Sequence, residues 1–122
     1  MPNSVMQIIL MLSKELVAAS STTLVLSILN EGENYGYALI QRVTELSAGE
    51  VQWSEGMLYP VLHWMEKEDL IESEWRQAES GHRRKYYRLR QKGRKALRTE
   101  KEQWTVVHNL FTKLWKTQPR LT

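Results

Sequence analysis

The sequence predicts a mostly α-helical chain with one small β-hairpin, and three observations carry that reading. Apolar residues recur at 3- and 4-residue steps through most of the 122 residues. That period breaks once, where Ile71–Arg76 and Lys85–Leu89 show β character around the turn-type loop Glu79–Arg83. The charge is divided just as sharply. Residues 1–75 carry three basic and eleven acidic side chains, whereas residues 76–98 carry ten basic side chains against Glu79 alone, within a net charge of +3.

The elements follow in order. Residues 5–19 are predicted to form an N-terminal helix, with Ile8, Ile9, Leu12, Leu16 and Val17 as its stripe. Ser20, Ser21 and Thr22 are N-cap types that open a second helix through Leu24, Val25, Ile28 and Leu29. Asn30-Glu31-Gly32 ends it. A third helix starts at Asn34 or Tyr35, with Ala38, Leu39, Ile40, Val43 and Leu46 turned inward, and Ser47-Ala48-Gly49 is a loop. Ser54 caps a fourth helix, where Leu58, Val61, Leu62 and Met65 repeat at helical spacing. Pro60 fits there only if the helix starts late, near Gly56 to Leu58. Glu66, Glu68 and Asp69 lie near its end, where the helix dipole disfavours them. After the hairpin, Leu97, Trp104, Val107, Phe111, Leu114 and Trp115 mark one long terminal helix from Gln91 onward.

Composition bounds the function. The length suits one fold with its own core. Lack of cysteine excludes disulfides and thiolate metal sites and is compatible with a reducing cytoplasm. The apolar run Val5–Leu12 is too short to span a bilayer, and no basic cluster precedes it, so neither a membrane partner nor a signal peptide is expected. His63, His82 and His108 lack metal-ligand spacing, and there is no phosphate-cradling glycine loop or nucleophile motif. No enzyme, cofactor, catalytic residue or metal site is therefore expected.

Three helices followed by a basic hairpin make the layout of a winged helix-turn-helix, here placed at residues 20–90, after residues 1–19 and before a terminal helix at 91–118. The helix before the hairpin is the natural groove reader, using Ser54, Gly56, Met57, Tyr59 and His63. Arg83, Arg84 and Lys85, with His82 beside them, would supply sequence-independent attraction to phosphates. The plainer readings stand beside these. His63 also reads as a surface residue and His82 as a turn residue, and Tyr86 and Tyr87 alternate so that one is core and the other exposed.

Leu29–Arg42 (LNEGENYGYALIQR), Glu55–Glu68 (EGMLYPVLHWMEKE), Leu70–Trp75 (LIESEW) and Gly81–Leu89 (GHRRKYYRL) together resemble the PadR family of transcriptional regulators, and its short-tailed branch with one C-terminal dimerisation helix. The resemblance runs from about Ser13 to Trp104. It implies a winged-helix homodimer on pseudo-palindromic double-stranded DNA, often a repressor released by a small molecule. It also implies that Tyr59 faces DNA, that Tyr35 or Tyr37 lies near the backbone, and that Gly81, Arg83 and Arg84 form the wing. Asp69 stands where the family commonly has glycine, and aspartate tolerates a left-handed turn better than most residues. Residues before Ser13 lie outside the resemblance and form an added helix or precede a start at Met11.

The stripe of Leu97, Trp104, Val107, Phe111 and Leu114 is too apolar to stay in water, and burial against a two-fold mate is the simplest solution. Ile8, Leu12 and Leu16 could close over the same groove. If Trp104 pairs across the two-fold axis without filling the space, an aromatic-walled pocket for a flat hydrophobic or cationic effector forms there. The rival function is a protein-interaction module built on the winged fold. Such a module has no need of Arg83-Arg84-Lys85 together.

Overall fold

The computed structural model describes residues 13–117. The proposed contributions of Ile8, Ile9 and Leu12 lie outside them. The order is α1 (Lys14–Glu31), β1 (Asn34–Tyr35), α2 (Gly36–Leu46), α3 (Glu55–Lys67), β2 (Ile71–Gln77), β3 (Arg83–Leu89) and α4 (Gln91–Thr117).

Among the described residues, one helix runs unbroken across the boundary expected between residues 19 and 20. Ser13 is the true N-cap of α1, its hydroxyl oxygen accepting the Leu16 N–H at 3.1 Å. Ser20 and Ser21 do not open a new helix. Their hydroxyls donate back to the Leu16 and Val17 carbonyls at 2.9 and 2.6 Å, the mid-helix alternative to capping. The chain therefore runs straight through to Gly32, whose φ of 152° ends α1.

Asn34 and Tyr35 begin as strand, not helix. They pair antiparallel with β3, Asn34 opposite Tyr87 and Tyr35 opposite Tyr86, so the expected hairpin is a three-stranded sheet in the order β1-β3-β2. The β2–β3 register runs from Ile71 opposite Leu89 to Gln77 opposite Arg83. Side chains alternate across the sheet. One face carries Ile71, Tyr87 and Leu89 into the core, and the other carries Glu72, Glu74, Arg76, Arg84, Tyr86 and Arg88.

Helix α3 starts at Glu55, so Pro60 sits in its second turn and the late start expected for it is incorrect. The ring lies on the exposed side of the helix, where the missing N–H leaves the Gly56 carbonyl to solvent rather than in the core. The acids at the end of α3 have tertiary reasons. Glu66 accepts from the Ser73 hydroxyl at 2.8 Å and pairs with Lys85 at 3.4 Å. Asp69 takes φ 61° at the turn into β2 and faces Arg90 at 3.5 Å.

The core lies where α1, α2, α3 and the inner sheet face meet, with Leu26, Leu39, Leu58, Leu62, Met65 and Ile71 fully buried. Truncating any of these leucines to alanine costs about 2–5 kcal/mol. Leu97 belongs to this core at 3 % exposure, so its expected place in a dimer interface is corrected. The root of α4 is fixed on the turn before β2. The Arg90 N–H donates to the Leu70 carbonyl at 3.0 Å, and Lys92 Nζ donates to the Glu68 carbonyl at 2.9 Å. Beyond the root, Trp104 lies on α1, its indole N–H donating to Thr23 Oγ1 at 3.0 Å. Thr23 in turn donates to Glu100.

Candidate nucleic-acid interface

Helix α3 presents Gly56, Tyr59, Pro60, His63 and Lys67 along its exposed face, spaced at 3 and 4 residues. Ser54 is exposed at its N-terminus, but its side-chain oxygen is engaged as the cap, accepting the Met57 N–H at 3.1 Å. Met57 is not a groove reader. Its side chain packs against the core, with Sδ 3.8 Å from the Ser21 hydroxyl. The signal for this was in the sequence, because Met57 lies one residue from Leu58 on the flank of the core stripe.

The wing turns at Ala78–His82. Ala78 N–H bonds to the His82 carbonyl at 2.7 Å and Gly81 N–H to the Ala78 carbonyl at 2.9 Å. Gly81 takes φ 87°, a left-handed conformation that favours glycine there. His82 and Arg83 are exposed beside it.

Between α3 and the wing lies a groove of about 610 Å³. Tyr35, Tyr37 and Tyr59 line it from the helical side, and Arg83, Arg84 and Lys85 from the wing. The structure thus brings together six of the residues expected to meet DNA. Gly56 and His63 stand on the adjoining α3 face, and Gly81 and His82 at the wing tip. Tyr59 crosses the N-terminus of α2 so closely that a Cβ on Gly36 would lie 2.7 Å from its hydroxyl oxygen.

Trp75, Gly36 and Tyr87 also line the groove and were not anticipated. Trp75 was legible in principle, because it shares a sheet face with Lys85 and is 57 % exposed. Burial, with Glu66 nearby, pushes the Tyr87 hydroxyl up to about 12, so it stays protonated.

The basic run is less uniform than its sequence implies. Arg76 is held by Glu33 and Glu74, and Arg88 by Glu72, Glu74 and Glu33. Lys85 and Arg90 pair with Glu66 and Asp69. The acids of the first half and the bases of the second half therefore neutralise each other across the fold. Among the described residues no carboxylate pairs with Arg83 or Arg84. Their guanidinium groups instead lie over rings, Arg83 at 5.2 Å from Trp75 and Arg84 at 4.4 Å from Tyr35.

Past Trp104, α4 leaves Val107, Leu110, Phe111 and Trp115 exposed, with Phe111 stacked on Trp115 at 5.0 Å. Leu114 is half exposed on the same stretch, and Leu16 is exposed on α1. Among the described residues there is no metal-ligating cluster, and no helix is long and apolar enough to cross a membrane.

Helices α1–α3, a three-stranded sheet and a β2–β3 hairpin whose return strand opens with Arg83-Arg84-Lys85, rather than carrying them in its loop, define a winged helix-turn-helix. The model of the transcriptional regulator PadR-like family matches residues 25–99, and the chain belongs to that family, whose members are transcriptional regulators rather than enzymes. A PadR-like transcriptional regulator from Bacillus cereus superposes with a TM-score of 0.76 at 30 % identity, covering 86 % of this chain and 100 % of that one. A PadR family transcriptional regulator from Eggerthella lenta has a TM-score of 0.72 at 35 % identity over 85 % of this chain and 88 % of its own. An uncharacterized protein from Lysinibacillus sphaericus is 26 % identical over 101 residues, 83 % of this chain and 93 % of that protein.

Proposed function

We propose that the protein is a homodimeric, sequence-specific DNA-binding regulator, a repressor on an inverted-repeat operator in the cytoplasm. The groove between α3 and the wing supports this best, because its outer side carries Arg83 and Arg84, which no carboxylate pairs among the described residues. A groove with cations on one wall and tyrosine hydroxyls on the other suits a phosphodiester strand passing between the reading helix and the wing. With Tyr59 on the phosphates, the α3 face of Gly56 and His63 would then lie against base edges.

The exposed stretch Val107–Trp115 continues the face that packs inward at Leu97 and Trp104, and a second copy is its simplest cover. Leu16 adjoins this interface in the proposal. A flat effector would stack on the 39 % of Trp104 that α1 leaves exposed, between the two α4 helices.

The test is binding to duplex DNA across a salt series. Each neutralised phosphate contributes a slope of about −0.9 in log K against log salt. Arg83→Ala with Arg84→Ala, in both copies of a dimer, is expected to remove about 3 to 4 from that slope and to weaken all duplexes alike. Salt-insensitive binding, or an unchanged slope in the double variant, would favour a protein-interaction module.

A further inference from the structure

We propose that Glu33, an acid on the DNA-facing domain, strengthens duplex binding by positioning Arg84. This rests on the DNA reading above and gives a role to a residue that contacts no phosphate.

Arg76 stands directly opposite Arg84 on the outer face of the sheet. Directly opposed side chains on paired antiparallel strands have Cβ atoms about 5 Å apart, and like charges there repel. Left alone, the two guanidinium groups would compete for the same space and push each other off the sheet.

Glu33 resolves that conflict. It sits in the two-residue link between α1 and β1 and takes Arg76 in a two-pronged grip, Nη1 to Oε1 at 2.5 Å and Nη2 to Oε2 at 2.9 Å. Glu74 holds the same guanidinium from the other side. Single exposed ion pairs contribute little, but a bidentate arginine inside a network of several charges is the geometry that holds.

Arg76 so held lies 4.9 Å from the centre of the Tyr86 ring. Tyr86 meets Tyr35 edge to face at 5.5 Å. Tyr35 carries the Arg84 guanidinium at 4.4 Å. The result is a ladder, Glu33–Arg76–Tyr86–Tyr35–Arg84, tied down by acids at one end. At the other end it offers an arginine with no acid to the groove. Tyr35 also occupies the N-cap position of α2, without a capping side-chain bond, so the ladder joins the wing to the helical half of the site.

Charge alone makes the opposite expectation. Replacing Glu33 with a neutral residue makes the domain more basic, and electrostatic attraction to DNA should rise. The ladder instead implies a loss, because Arg76, left to Glu74 alone, loses the two-pronged grip that keeps it clear of Arg84.

The experiment compares Glu33→Gln, Arg84→Ala and the double variant with the wild type on duplex DNA over a salt series. Glu33→Gln is expected to weaken binding by roughly 5- to 30-fold. It is also expected to lower the salt slope by about 0.9 per protomer, the signature of one lost phosphate contact. A general loss of stability would leave that slope unchanged. In the Arg84→Ala background, Glu33→Gln should weaken binding no further. Binding by Glu33→Gln that is equal or tighter, or a loss that persists without Arg84, overturns the proposal.

A second readout needs no DNA. With its guanidinium 4.4 Å from the Tyr35 ring centre, Arg84 is expected to show upfield-shifted side-chain NMR signals in the wild type, and Glu33→Gln is expected to erase that shift. A retained shift overturns the positioning role. Should the wild-type chain bind no duplex, the DNA reading fails, and this signal still decides whether Glu33 places Arg84.

Discussion

Gly36→Ala separates folding from recognition in a single methyl group. Gly36 is the first residue of α2 and is buried under Tyr59. An added Cβ would lie 2.7 Å from the Tyr59 hydroxyl oxygen, 3.0 Å from Cζ and 3.1 Å from Cε1. All three atoms belong to the far end of a side chain that is 41 % exposed, so the ring can swing toward solvent. Two small stability effects then oppose each other. Alanine in place of glycine favours a helix by up to about 1 kcal/mol. Forcing Tyr59 off its preferred rotamer costs about 0.5–1.5 kcal/mol. They nearly cancel, so the melting temperature is expected to shift by no more than about 5 °C. Binding should change far more. A hydrogen bond to a charged group contributes about 1.5–3 kcal/mol, so losing a tyrosine–phosphate contact weakens binding by roughly 10- to 150-fold. Fluorescence anisotropy on a duplex selected for tight binding, set beside thermal melts, reads both effects. Normal melting with unchanged affinity would refute the placement of Tyr59 at DNA. Loss of folding would refute the idea that the ring yields.

Gly93→Ala is expected to behave differently, because its Cβ would lie 2.1 Å from the Leu70 carbonyl oxygen, a backbone atom that cannot rotate away. Overpacking of this kind costs about 1–3 kcal/mol, and thermal melts should show a clear loss of stability. Phe111→Asp, placed on the exposed stretch of α4, should leave the fold intact and yield single chains in sedimentation; a persistent dimer would move the interface elsewhere. The pH response of the wing network has a definite sign. Hydrogen bonds from Arg76, with further donation from Arg88 to Glu74, hold the Glu33 and Glu74 carboxyls below their usual 4.5. Their contribution is present above that value and is lost as pH falls through the lowered pKa. Melting temperature should therefore show no loss from these two acids between about pH 8 and 5 and decline below about pH 4. A decline that is unaltered in Glu33→Gln with Glu74→Gln would contradict that assignment.

Periodicity made the helical core legible, since Leu39, Leu58, Leu62 and Met65 recur at steps that only a helix turns to one side. Composition and turn residues made the wing's turn legible, and the family resemblance pointed to the left-handed turn at Asp69, whereas the left-handed Gly81 and the strand position of Arg83 were not read. What stayed hidden depended on tertiary contacts. Ser20 and Ser21 look like caps but donate inside α1, because only the packing of Val25, Leu26 and Leu29 beyond them decides that the helix continues. The strand Asn34–Tyr35 is two residues long and exists because β3 offers it a free edge. Leu97 and Trp104 share one stripe with Phe111, and the stripe does not say where the domain's own core ends and an uncovered face begins. At the groove, the sequence pattern named the cations but not their pairing. Acids and bases far apart along the chain, Glu33 with Arg76, Glu66 with Lys85 and Glu72 with Arg88, pair with one another, so that only part of the basic charge is left without an acid among the described residues.

The claim that two copies of this groove grip one duplex is tested most directly by selecting bound duplexes from a random pool and weighing the complex. An enriched inverted repeat is expected, with half-site centres about one helical turn apart, roughly 34 Å, bound by two chains. Recovery of duplexes without a repeat, or of complexes holding one chain, would contradict it.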